Sequence, residues 1–225
     1  MVRTSDQGVA LPAEVAPLRR RPVQQRSTQR VEKMLESCAQ LIDELGYEGV
    51  TTTLIAERAG VAVGSLYQFF PDKRAVVQEL TRRNLSRFVD VIGERFATSD
   101  LANWWDAVDT VIDVYITMHR DVPAFSRLHF GDVVDLRLLD ESKDNNAVIA
   151  DKLIALLGER FTLDDEQLLL PLSVAVEAAD AVLNLAFRRD PSGDAELVAE
   201  AKELVRGYLA NRLPDDQPND MPSPR

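Results

Sequence analysis

The stretch that decides the fold reads Thr51-Thr-Thr-Leu-Ile55-Ala56-Glu-Arg-Ala59-Gly60-Val61-Ala-Val-Gly64-Ser65-Leu66-Tyr67-Gln-Phe-Phe70-Pro-Asp-Lys73. Thr51 is a good N-cap, because its hydroxyl can accept an orphan backbone N–H in the first turn of a helix over Thr52–Ala59. Gly60 then allows the sharp bend that ends that helix. Ala62 or Val63 opens a third short helix that reaches about Phe69. Ala56, Ala59 and Gly64 are small, so the two helices can cross closely. Pro71-Asp72 starts a long fourth helix, with a carboxylate at its positive end. Two short helices joined by Gly60-Val61-Ala62 make a helix-turn-helix, whose second helix would present its N-terminal residues to base edges in a major groove.

Working outward, the first helix spans Gln25 to Leu45. Its apolar positions Val31, Met34, Leu35, Cys38, Leu41, Ile42 and Leu45 recur at three- and four-residue steps, and Gly46 stops it. Cys38 lies in that stripe and reads as a small core residue. Beyond the fourth helix the pattern stays helical. Asp100 can cap Leu101–His119, Pro123 begins a shorter segment through Phe130, and residues 131–147 are charged and include a loop. Val148–Phe161 is amphipathic, Glu166–Arg189 is apolar nearly all round, and Asp194–Leu213 carries a stripe of Leu197, Ala201, Leu204, Val205, Tyr208 and Leu209. The fold class is all-α. Residues 1–24 form a disordered basic arm, 25–75 the helix-turn-helix unit, 76–213 a ligand-binding and dimerisation bundle, and 214–225 a proline-rich disordered tail.

Charge divides the chain in the same place. The 225 residues have a formal net charge of −11. Through residue 75 there are 10 Lys/Arg and 9 Asp/Glu, but beyond it 16 and 28. The acidic part should repel a phosphate backbone, so DNA contact belongs to the first third. Within it, Arg19–Arg30 holds five arginines and no acid. The single cysteine cannot form an internal disulfide, which fits a cytoplasmic protein, and no Cys/His cluster offers a metal site. No cofactor is called for. No uninterrupted apolar run approaches the ~20 residues that span a bilayer, and no signal peptide is expected.

The residues from Gly46 to Lys73 resemble the TetR/AcrR family of bacterial transcriptional repressors, and the likeness covers about 50 residues with the first helix included. It implies roles position by position. Thr51 would cap helix two and help seat it on a phosphate, with Thr52 and Thr53 near the groove. Val63, Gly64 and Ser65 would open the recognition helix. Tyr67 would donate its hydroxyl to a phosphate, Gln68 would reach a base or the backbone, and Lys73 would meet a phosphate from the start of helix four. Two positions depart from the family: Ala62 stands where Ser or Thr is usual, removing a side-chain cap worth about 1 kcal/mol, and Phe69 replaces a frequent His or Tyr. Arg19, Arg20 and Arg21 would either enter an adjacent minor groove or add nonspecific attraction only.

The all-helical remainder is similar in layout to the family's ligand and dimerisation domain. A helix apolar on all sides must be covered on all sides, so Glu166–Arg189 and the final helix predict a four-helix interface in a two-fold homodimer. Its polar stripe is Ser173, Glu177, Asp180, Asn184 and Arg188. Trp104, Trp105, Tyr115, His119, Phe125, His129 and Phe130 read singly as ordinary packing and together as an apolar ligand cavity. Glu177 and Asp180, with Asn184 on the same stripe, would favour a cationic or hydrogen-bond-donating ligand if they face that cavity. They carry no such information if they face solvent. The leading expectation is a repressor released from a near-palindromic operator by a small molecule. A regulator controlled by a protein partner, or an activator, shares every N-terminal feature. An enzyme is disfavoured, because no nucleophile motif, phosphate loop or metal-ligand spacing is present.

Overall fold

The computed structural model describes residues 25–99, 101, 103–129, 143, 145–161 and 165–213. The expectations for 1–24 (Arg19, Arg20 and Arg21 included), Asp100, Phe130, most of 131–147 and 214–225 lie outside the described residues, as does the side chain of His129. Among the described residues all regular structure is helical: α1 (Gln25–Gly49), α2 (Thr52–Arg58), α3 (Val63–Phe69), α4 (Lys73–Thr98), α5 (Trp104–Asp121), α6 (Phe125–His129), α7 (Asn145–Phe161), α8 (Asp165–Arg189) and α9 (Ala195–Ala210).

The α1 stripe is buried from Val31 through Ile42, with Met34, Cys38 and Ile42 fully so. Leu45 departs from expectation and is 50% exposed. Gly46 explains it: at φ 70° and ψ 166° it takes a backbone conformation open to glycine and breaks the helix one residue later. Burial pushes the Cys38 thiol up to about 12, so it is an inert core group.

Local signals account for α2–α4. Thr51 Oγ1 accepts the Leu54 N–H at 3.2 Å, and Asp72 Oδ1 accepts the Ala75 N–H at 2.8 Å. Gly60 makes the bend at φ +66°. Ala62 stands at the N-cap of α3 without a side-chain bond, and the first turn is held by the Ser65 N–H on Ala62 O at 2.8 Å.

The entry to α5 corrects the sequence reading. Its cap is Asn103, whose Oδ1 accepts the Asp106 N–H at 3.1 Å, and the helix starts at Trp104. Leu101, expected to be helical, is 3% exposed and fills the core instead. Downstream, α7 begins three residues earlier than expected, and Asp194 caps α9.

By length and composition α8 is apolar enough to cross a bilayer, although no uninterrupted apolar run suggests it. Its inner side, including Leu168, Leu172, Ala175, Leu183 and Ala186, is buried between α7 and α9. Asp180 and Asn184 interrupt its middle. Only 22% of its apolar window is buried, because the outer face, with Leu169, Leu170, Val174 and Leu185, is exposed.

Two hydrophobic cores result. A head core joins α1–α3 to Ala75, Val76, Val77 and Leu80 of α4, and also takes in Ala124 and Leu128. A body core begins at Leu85 and runs through α5 and α7–α9. The changeover falls inside α4, so one continuous helix belongs to both. The α6 region has the same double membership, with Leu128 in the head core and Phe125 in the body core.

Candidate nucleic-acid interface and effector region

The helix α3 divides its side chains sharply. Leu66 and Phe69 are buried in the head core, whereas Gly64, Tyr67 and Gln68 are exposed. Val63 is half-buried against that core, so it packs as well as opening the helix. Ser65 and Thr52 are half-buried, and Thr51 and Thr53 are exposed. Phe69 points inward, so the position that departs from the family carries packing in this chain.

Two of these hydroxyls are linked. Thr52 Oγ1 and the Tyr67 hydroxyl lie 3.0 Å apart, joining the first turn of α2 to the middle of α3. Lys73 is also more constrained than its sequence position suggests. Its Nζ donates to Tyr47 O at 3.0 Å and lies 4.1 Å from the Tyr47 ring centroid. An ammonium has three donors, so two remain for a phosphate. One contact escaped sequence reasoning altogether: Arg58 grips Glu44 through two hydrogen bonds of 2.6 and 2.7 Å, tying the end of α2 to α1. That bidentate pair holds the Glu44 carboxyl below and the Arg58 guanidinium above their usual ranges.

The residues expected to line a ligand cavity fall into separate groups. Trp104 is buried beside Trp105 at the start of α5, with ring centroids 3.4 Å apart. Tyr115, at the other end of α5, lies 5.7 Å from Phe125 and 5.8 Å from His119. His119 stacks on Phe187 at 3.5 Å. Burial lowers the imidazole to about 4, which keeps it neutral at physiological pH. Phe187 was missed, because it reads in sequence as one more apolar residue of α8.

Glu177 and Asp180 part company. Glu177 is exposed, whereas Asp180 is half-buried and accepts from Asn184 Nδ2 at 2.9 Å and from Asn146 Nδ2 at 3.4 Å. Asn146 was also missed, since it fell in a segment read as including a loop. One helical turn from Tyr115 and Asp180, a narrow groove of about 60 Å³ opens among α5, α7, α8 and α9. It is lined by apolar side chains alone, among them Val108, Ile112, Leu153, Leu172, Val176 and Leu209. None of the expected ligand residues among those described lines this groove.

Burial raises Asp180 to about 6, with the charge of Glu177 adding to the effect. The folded chain therefore holds this proton more tightly than the unfolded chain does. Stability falls as pH rises from about 3.8 to about 6, and the penalty is complete above that window. We expect Asp180→Asn to raise the melting temperature at neutral pH and to lose that advantage in acid. After allowance for solvent screening the gain is below about 2 kcal/mol, or below about 4–8 °C for a chain of this length. His119 slopes the other way, because a lowered imidazole pKa makes stability rise with pH through about 4 to 6.5. Its contribution cancels when variant and parent are compared at each pH. Thermal melts across that range check the assignment, and a difference independent of pH would refute it.

Comparisons with known proteins agree with this geometry. Residues 35–80 match the model for bacterial regulatory proteins of the tetR family, and residues 102–213 match the tetracyclin repressor-like C-terminal domain. A crystal structure of a TetR-family transcriptional regulator from Streptomyces coelicolor is 36% identical, with 82% of this chain and 99% of that chain covered and a TM-score of 0.72. The HTH-type transcriptional regulator YvdT of Bacillus subtilis is 26% identical over 96 residues, 41% of this chain and 48% of that protein. The HTH-type transcriptional repressor KstR of Rhodococcus jostii is 37% identical over 59 residues, 26% of this chain and 28% of that protein. The chain thus spans less than half the length of these curated relatives. The near-complete cover of the Streptomyces coelicolor structure, with matches to both family domains, settles the classification: this chain belongs to the TetR family of transcriptional regulators.

Proposed function

We propose that the protein is a homodimeric DNA-binding repressor, working in the cytoplasm, that a small-molecule effector releases from a near-palindromic operator. The observation that carries the reading is the division of α3, which buries Leu66 and Phe69 while exposing Gly64, Tyr67 and Gln68. A helix held rigidly from behind and polar in front suits entry into a major groove. In this reading Tyr67, bonded to Thr52, and Lys73, held on Tyr47, position the head on phosphates. Gln68 is the side chain free to read a base. The repressor name of the KstR relative supports the sign of regulation.

In the body, the effector has an apolar part that widens the groove among α5, α7, α8 and α9 and a hydrogen-bonding part that meets Asp180 and Asn184. Tyr115 and His119 complete that polar end, with Phe125 joining it to α6. Trp104 and Trp105 serve the core at the far end of α5. The effector releases DNA only through its difference in affinity for two head separations, one of which matches half-sites about 34–36 Å apart. The reading is of a binding protein and not of an enzyme.

Fluorescence anisotropy on DNA selected from a random pool, with scrambled DNA and a salt series, tests this. We expect tight, salt-sensitive, sequence-selective binding with two subunits per site. Lys73→Ala should weaken binding to all sequences alike and lower the salt slope by about 1, whereas Gln68→Ala should discriminate among operator variants. Failure to enrich any sequence would refute operator recognition, and equal effects of both changes on every sequence would refute the division of roles.

A further inference from the structure

A second cleft, of about 480 Å³, lies where α1, α4 and the turn before α6 converge. Its walls differ in sign. Glu32 and Glu36 of α1 face Arg83 and Arg87 of α4, with Ala39 and Pro123 supplying a small apolar surface. Glu32 and Arg83 neutralise one another across the cleft at 2.9 Å. Glu36 and Arg87 make no ion pair among the described residues. Asn84 lines the same cleft and is 2% exposed, and its Nδ2 finds no acceptor among the described residues. A buried amide donor without a partner costs roughly 1–3 kcal/mol, which is reason to look for the group that completes it.

We propose that this cleft is a binding site for a small zwitterion of the amino-acid class, separate from the apolar groove in the body. The volume suits a small molecule. The charge pattern favours a zwitterion over a simple anion or cation, because the four ionised side chains sum to zero while Glu36 and Arg87, one of each sign, make no ion pair among the described residues. A carboxylate accepts from the Arg87 guanidinium and from Asn84 Nδ2, and an ammonium three bonds away donates to Glu36. Ala39 and Pro123 give its side chain a small apolar surface to rest on, with Gln40 beside them. Such a ligand touches α1 of the head, α4 where it passes between the cores, and the turn that leads into α6. It therefore bears on the head's orientation without entering the body.

The test needs no operator, so its outcome stands apart from the DNA-binding reading. Isothermal titration of the full chain with L-alanine and L-proline, at millimolar concentration, is compared with acetate and ethylamine alone. We expect heat from the zwitterions and none from either half, with affinity at least tenfold weaker in Glu36→Gln and in Arg87→Gln. Asn84→Leu should abolish binding while leaving the melting temperature of the free protein unchanged or higher, since it removes an unpaired buried donor. Acetate binding as well as alanine, or indifference to Glu36→Gln, overturns the zwitterion assignment. No heat from any of the four, or a lower melting temperature in Asn84→Leu, overturns the site, because the amide is then satisfied within the fold.

Discussion

Replacing Leu170 and Leu204 by glutamate is expected to convert the proposed dimer to a folded monomer and to weaken operator binding by at least about 100-fold, or ~2.7 kcal/mol. The argument begins with the outer faces of α8 and α9. Leu170 is 70% exposed, Leu169 53%, Leu204 45%, Leu185 40% and Val174 38%. On α8, Leu170, Val174, Glu177, Ala181 and Leu185 follow one another at three- and four-residue steps, so they share a face. On α9, Leu204 stands beside exposed Gly207 and Ala210, whose small size allows close helix approach. Burying a leucine is worth about 1.5–3 kcal/mol, and two-fold symmetry doubles each loss. Four glutamates in one interface would add like-charge repulsion to a body that is already acidic. Because the two side chains are exposed within the subunit, circular dichroism should show unchanged helicity. Light scattering at micromolar protein reads the oligomeric state, and anisotropy reads the operator. A variant that stays dimeric with intact operator affinity would place the interface elsewhere.

How far the chain could be read in advance depended on the range of the interactions concerned. The helix-turn-helix was legible because its determinants are local. Thr51 and Asp72 accept N–H groups three residues ahead, and Gly60 takes its own positive φ. The α1 stripe was legible for the same reason as far as Ile42, and Leu45 escaped it only because Gly46 turns the chain away. Contacts between distant segments were not legible. Arg58 and Glu44 are ordinary charges on two helices until the fold brings them together. Phe187 and Asn146 meet His119 and Asp180 only once α7 and α8 are packed on α5. The aromatic set was over-read in the opposite sense: Trp104 and Tyr115 share a helix but stand 11 residues apart, about 16 Å along its axis. The zwitterion cleft had no sequence signature, because its walls come from α1, α4 and a turn more than 70 residues beyond α1.

The same range argument bears on how a signal leaves the body. Leu128→Ala is expected to destabilise the head, although the residue lies far outside the segment that reads as DNA-binding in sequence. Leu128 is 1% exposed and belongs to the head core, with Ala124 beside it. The Ala124 N–H donates to Asp43 Oδ1 of α1 at 2.9 Å, so the turn before α6 is also tied to the head by a hydrogen bond. Phe125, the next residue, instead packs in the body core against Tyr115 and Phe88. The α6 region is thus a peg with one side in each core. Truncating a buried leucine costs about 2–5 kcal/mol through lost transfer energy and the cavity left behind. That loss should appear in head amides, as faster hydrogen exchange in α1–α3, and in weaker operator binding. Asp43→Ala should act in the same direction but less, since it orphans one buried N–H at about 1–3 kcal/mol, and Asp43→Asn should largely restore it by keeping an acceptor. If Leu128→Ala speeds exchange in α5 and α6 alone, the head folds independently of this peg. Movement would then have to reach it through α4, the remaining element shared by both cores.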